Sequence, residues 1–175
     1  IQILLDAGAS VLARNINGVS VLHNRSSFAA ATQALLDAGA DVSARIKVSG
    51  LTPLHIAAGT DNFTIGDLDP FFNPSKISAK IQILLAAGAD VMARDWRGYT
   101  PLHSATAAFC YELNAIKTLI AAGSDVMALD RFDNTPLHYI VENYPSEQIN
   151  NKFGAIEALL KAGASVKAKN KNGKT

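Results

Sequence analysis

A four-residue corner, Thr-Pro-Leu-His, stands at 52–55, 100–103 and 135–138, and a worn copy, Ser-Val-Leu-His, at 20–23. No other feature restricts the fold as strongly. A threonine hydroxyl can accept from a free backbone N–H at a helix start, and proline at the first helical position gives up an N–H that has no partner there anyway. Each corner therefore predicts a helix N-terminus at Thr52, Thr100 and Thr135. A second mark, an Ala-Gly step, recurs at Gly8, Gly39, Gly88, Gly123 and Gly163, after apolar pairs such as Leu35-Leu36 and Leu119-Ile120. Glycine there supplies the left-handed residue that closes a helix.

From each glycine to the next histidine the count is 15, 16, 15 and 15 residues, and from each histidine to the next glycine it is 16, 33, 20 and 25. One half of the unit is nearly fixed in length and the other accepts insertions. The fixed half holds a polar stretch with a tight turn, as in Asn15-Ile16-Asn17-Gly18 and Asp95-Trp96-Arg97-Gly98. The apolar share of 49% with an aromatic share of only 7% favours close-packed helices rich in alanine and leucine.

A unit of two helices and a turn, opened by T-P-L-H, resembles the ankyrin repeat. The match rests on Thr52-Pro53-Leu54-His55-Ile56-Ala57-Ala58, Thr100-Pro101-Leu102-His103-Ser104-Ala105, Thr135-Pro136-Leu137-His138 and the Ala-Gly steps at 38–42, 87–91 and 122–126. The resemblance implies an all-α solenoid of stacked helix-turn-helix repeats with hairpin-like turns projecting along one edge. The 175 residues then form one repeat domain. A partial repeat at 1–14 precedes units at 15–44, 45–93, 94–128 and 129–168, and 169–175 begins a further one. Both ends are expected to be cuts through a longer array.

Two places depart from the pattern. In the first unit Asn24-Arg25-Ser26 stands where small apolar residues pack, so its first helix should be short or frayed. In the second, about 15 extra residues, placed near 60–77, follow His55 by comparison with the family's usual length. That insert carries Phe63, Phe71 and Phe72, which either fold back on the helices or meet a partner. A smaller insert, near 142–152, is polar and reads as surface.

The chemistry-bearing residues point away from catalysis. Histidines at one position of stacked helices, roughly 8–10 Å apart, form a ladder and cannot converge on one ion. The resemblance implies a structural duty for them, a hydrogen bond across the turn. Cys110, the only cysteine, has no third partner or oxyanion-hole motif, and excludes an intrachain disulfide and a cysteine-based zinc site. It suits a reducing compartment, the cytoplasm or alternatively the nucleus. Asp61, Asp67 and Asp69 lack the spacing of a calcium loop. No catalytic residue, metal or cofactor is therefore expected.

The turns carry the functional expectation. The resemblance implies binding through the turn tips and the exposed side of the first helix, along the concave face. Positions matching the tips include Ile16 and Asn17, Leu51, Trp96, Arg97 and Tyr99, then Arg131 and Phe132. Trp, Tyr and Arg are the side chains that dominate interface energetics. One step before the tips, Arg14, Arg45, Arg94 and Lys169 repeat at one position, broken by Leu129, and form either a basic edge or a solvated face. With 16 basic and 15 acidic residues, the chain gives no general reason to expect nucleic acid or a membrane surface. No apolar run approaches the roughly 20 residues of a membrane span. The expected function is a monomeric, non-catalytic scaffold that binds another protein. The alternative is a regulatory or targeting segment of a larger enzyme, channel or secreted effector.

Overall fold

The computed structural model describes residues 2–24, 29–59, 74–108, 113–142 and 149–175. Among them the regular elements are helices: α1 (Gln2–Asp6), α2 (Ala29–Asp37), α3 (Pro53–Ala58), α4 (Pro74–Ala86), α5 (Pro101–Ala107), α6 (Leu113–Ala121), α7 (Pro136–Glu142) and α8 (Ile149–Lys161). Thr52 and Thr100 cap α3 and α5 in extended backbone, and their hydroxyls accept from the N–H of His55 and His103. In the first unit the equivalent segment is a 3-10 turn, Val21–His23, as the missing Thr-Pro pair and the polar Asn24 lead one to expect.

The helices stack in two rows. The short first helices of the units, α3, α5 and α7, pack in sequence on one another, and the second helices α2, α4, α6 and α8 form the other row. Each pair, α3 with α4, α5 with α6 and α7 with α8, closes one unit. The leucine of each corner points between the rows, so Leu54 and Leu102 are fully buried beside Ile81, Leu84, Ile116, Leu119 and Leu159. Each such side chain contributes about 1.5–3 kcal/mol by leaving water.

The Ala-Gly steps end the second helices in one repeated way. At α4, Gly88 N–H donates to Leu85 O (3.0 Å) and Ala89 N–H to Leu84 O (2.9 Å), with Gly88 at φ 87°. This is a Schellman closure, in which the residue after the glycine packs back on the leucine whose carbonyl it binds. Alanine fills that place at Ala9, Ala40, Ala89 and Ala164, but Ser124 occupies it after α6. Its hydroxyl is buried without a hydrogen-bond partner among the described residues.

The departures have physical outcomes. The insert after His55 was expected near 60–77, yet Pro74–Ala86 is already helix, with Ile77 against the core. Proline starts α4 as it starts α3, which is why the helix begins early. Phe71 and Phe72 lie outside the described residues. The smaller insert, expected near 142–152, ends where α8 begins at Ile149. At the worn first unit, Lys80 of α4 is buried and donates to Asn24 O. The equivalent places in α6 and α8 are the buried alanines Ala115 and Ala155. A lysine is long enough to reach this carbonyl at the end of the curtailed turn, where a methyl group is not.

Replacing Ser124 with Ala should raise stability by about 1 kcal/mol, because it removes a buried unsatisfied hydroxyl and restores the repeat's alanine. Urea unfolding reads this directly, and an unchanged or lower midpoint would show that the hydroxyl finds a partner.

Candidate interaction surface

The projecting edge is built from five turns, beginning at Asn15, Ile46, Asp95, Asp130 and Asn170. In four of them the first side chain organises the turn. Asp95 Oδ1 accepts from the N–H of Arg97 and of Tyr99 (both 2.8 Å), and Asp130 Oδ1 from Phe132 (2.7 Å) and Asn134 (2.8 Å). Asn15 and Asn170 do the same at 3.0 Å. Gly98 has φ 83°, and a Cβ there would come within 3.2 Å of Arg131 N, so both conformation and space require glycine. Asp133 takes the left-handed position in the fourth turn, at φ 60°.

One backbone hydrogen bond ties each turn to the one before it. Lys47 N–H donates to Asn17 O (2.8 Å), Trp96 to Ser49 O (2.9 Å), Arg131 to Arg97 O (3.0 Å) and Lys171 to Phe132 O (3.0 Å). The row Arg45 and Arg94 adds a second tie. Arg45 Nη1 donates to Gly50 O (2.9 Å) in its own turn and to Arg94 O (2.8 Å) in the next. Arg94 Nη1 repeats this with Gly98 O (3.1 Å) and Leu129 O (2.6 Å). Arg14 instead pairs with Asp41 at 2.6 Å. The basic row is thus first a set of inter-turn clamps.

Beneath the turns runs the histidine ladder. Nδ1 of His55 accepts from the N–H of Thr52 (3.2 Å), while Nε2 faces Tyr99 O of the next unit (2.9 Å). His103 joins Thr100 N–H (3.2 Å) to Asn134 O (3.1 Å), and His138 joins Thr135 N–H (3.0 Å) to Lys174 O (3.1 Å). His23 does so even in the worn unit, between Ser20 N–H (3.1 Å) and Leu51 O (3.2 Å). An N–H can only donate and a carbonyl can only accept. Each ring is therefore the neutral tautomer protonated on Nε2. Burial holds His23, His55 and His103 below the ordinary 6.5, against the opposing pull of the carbonyl each one faces.

A family model of ankyrin repeats, three copies, matches residues 76–170. The chain belongs to the ankyrin repeat family. No curated protein matches it. Ankyrin repeats generally mediate protein–protein interaction, and domains built of them are typically non-enzymatic. Among the described residues no group of three His, Cys, Asp or Glu side chains is arranged to hold a metal ion, and no helix is long and apolar enough to cross a membrane. Cys110 and the aspartates of the insert lie outside the described residues.

The ankyrin frame sorts the tip residues into two groups. Trp96 and Phe132 stand out, 53% and 61% exposed, and Arg131 is exposed beside them. The indole leans on the preceding turn: a Cβ on Gly50 would fall 2.6 Å from Trp96 Cδ1. Tyr99 and Leu51 are not tip residues, because both are buried. Tyr99 packs against Tyr139 of the next unit (5.0 Å between ring centres) and stacks on His103 (5.6 Å). Arg97 lies 4.3 Å above the Tyr99 ring while its Nε pairs with Asp95 at 3.1 Å. Its guanidinium thus has intramolecular partners, though the side chain remains half exposed.

The Tyr139 hydroxyl donates to Asp130 Oδ2 (2.5 Å). Burial alone would raise the Asp130 carboxyl, but the bonds from Tyr139, Asn134 and Phe132 outweigh it and hold the group below its ordinary value. Val48, 70% exposed, is a tip residue that the sequence reading passes over. Its signal is the count of 16 rather than 15 between Gly39 and His55, one extra residue that lengthens this turn and displaces the alignment.

Two expectations follow from these ties. As pH falls through about 6.5 the unfolded chain takes up protons on histidine while the folded chain resists them. Stability should be fully present above that value and decline below it, as thermal unfolding between pH 7.5 and 5.5 would show. A flat profile would mean that these imidazoles are not held neutral. Arg94→Leu, which copies Leu129, should lower stability by about 1 kcal/mol through two lost charged hydrogen bonds at an exposed site. The urea midpoint should drop with an unchanged slope.

Proposed function

We propose that this ankyrin stack is a non-catalytic scaffold that holds a protein partner along its turn tips and the adjoining concave face. One observation carries the reading. Ile16, Val48, Trp96 and Phe132, on four consecutive turns, are 87%, 70%, 53% and 61% exposed, and every turn beneath them is pinned to its neighbour by a main-chain bond. Apolar side chains fixed in a row on a stiff support lose little freedom on binding, so the area they bury is returned as affinity. An aromatic at the centre of such a row is the residue type that anchors interfaces. Arg131 stands beside Phe132 as a polar flank, and Arg45, Arg94 and Arg97 line the same edge while serving their own turns.

The fixed neutral histidines support a structural frame in place of an acid–base centre. An apolar groove of about 260 Å3 between Leu4, Val11, Val21 and Leu35 carries no titratable side chain. The single cysteine fits a reducing compartment, the cytoplasm or the nucleus, in which such a scaffold would act as a monomer. Phe71 and Phe72 remain a second candidate contact on sequence grounds alone.

Affinity capture from a cell extract with the wild type and with W96A/F132A tests the reading. Both proteins should melt alike, and a partner retained by the wild type should be retained several-fold less by the variant. An identical set at identical yield would move the site away from these tips.

A further inference from the structure

The tips carry a second regularity, in charge. Lys47 adjoins Val48, Arg97 adjoins Trp96 and Arg131 adjoins Phe132, and Lys171 stands on the fifth turn. All four are exposed. Behind them Arg45, Arg94 and Lys169 present a second exposed basic row. The five turns hold three acidic residues. Asp95 and Asp130 are buried in capping their turns, and only Asp133 reaches solvent, 4.0 Å from Lys171. Lys47, Arg131, Arg45, Arg94 and Lys169 have no carboxylate partner among the described residues. The five tips therefore carry an excess of basic over acidic side chains at the surface, while Asp41, Asp90 and Asp125 lie further back on the limbs that lead into the turns. That edge also exposes its row of apolar side chains.

The spacing of the edge defines what fits it. Each turn is a hairpin whose two limbs bond sideways, so consecutive tips lie two strand spacings apart, about 9.5 Å. A peptide extended as a polyproline II helix advances about 3.1 Å per residue and turns once in three residues, so every third side chain faces the same way about 9.3 Å on, one for each turn of the stack. Resting on the proposed tip surface, we infer that the partner segment is an extended acidic peptide. It would place one apolar side chain on each step and carboxylates between, and cover the five turns in about twelve residues. Apolar tips take the apolar side chains, while Lys47 and Arg131 take carboxylates and set the encounter rate. A single-stranded nucleic acid would also meet the charge. Ile16 and Val48, however, offer no ring for a base to stack on, and stacking platforms are what such strands use.

Trp96 is the only tryptophan and lies in the middle of the row, so it reports binding directly. The probe is a synthetic peptide of four Leu-Asp-Glu triplets, titrated at low salt and followed by Trp96 emission and calorimetry. Saturable binding is expected, weakening as salt rises. K47E/R131E should weaken it by about fivefold or more at an unchanged melting temperature, since these are rim charges. K47Q/R131Q serves as the milder pair if reversal impairs folding, with a smaller loss in the same direction. No saturable binding, or no loss in the variants, overturns the inference. So does a peptide of Leu-Lys-Lys triplets, or an oligothymidylate of equal charge, that binds as tightly. In each of those cases the W96A/F132A capture result still decides separately whether the tips bind a protein at all.

Discussion

Everything in this stack depends on a neutral imidazole with two fixed duties. In each unit the ring accepts from the backbone N–H at the start of its own helix and donates to a backbone carbonyl of the next unit. The first bond closes the helix start in the way a glutamate does in a capping box, with the ring nitrogen in place of a carboxylate. The second carries that order across the gap between units. A glutamate could do the first and not the second, since it has no proton to donate. A charged histidine could do the second and not the first. Only the neutral, Nε2-protonated form does both, and at His23, His55 and His103 burial between helices favours it.

The rest of the architecture extends this coupling outward. Main-chain bonds join the tips, and Arg45 and Arg94 bind each turn to the next from the side. Tyr99, Tyr139 and Asp130 tie the third and fourth turns with ring contacts and a short hydroxyl–carboxylate bond. Where the pattern lapses, a neighbour compensates. The first unit has a 3-10 turn in place of a helix, and Lys80 donates to the Asn24 carbonyl at its end from a position that is alanine in later units. At the last junction, where Leu129 cannot clamp, Asn170 donates to Asn134 Oδ1 (2.7 Å) and the Lys171 ammonium to Arg131 O.

Local chemistry is what a sequence displays well. Thr-Pro at a helix start and Gly at a helix end act within a few residues, so the corners and steps could be read at once, and with them the fold. The tips were legible only in part. Trp96 and Phe132 stand out as expected, but Tyr99 is buried by a ring forty positions away, and Val48 is masked by one extra residue in its turn. The arginines looked like a charged edge because their acceptors are main-chain carbonyls, which every residue has and no sequence pattern marks. The insert with Phe71 and Phe72 gave no repeat to align against.

The acceptors of the histidine ladder belong to Leu51, Tyr99, Asn134 and Lys174, four unrelated side chains. What one unit asks of the next is therefore a peptide group in the right place, which any residue supplies. As far as the ladder is concerned, a unit can be duplicated, lost or exchanged with no matching change beside it, and only side-chain ties such as Lys80 to Asn24 or Tyr99 to Tyr139 would have to be remade. Selection can then rewrite the exposed tips freely while the joints between units stay compatible with whatever arrives beside them.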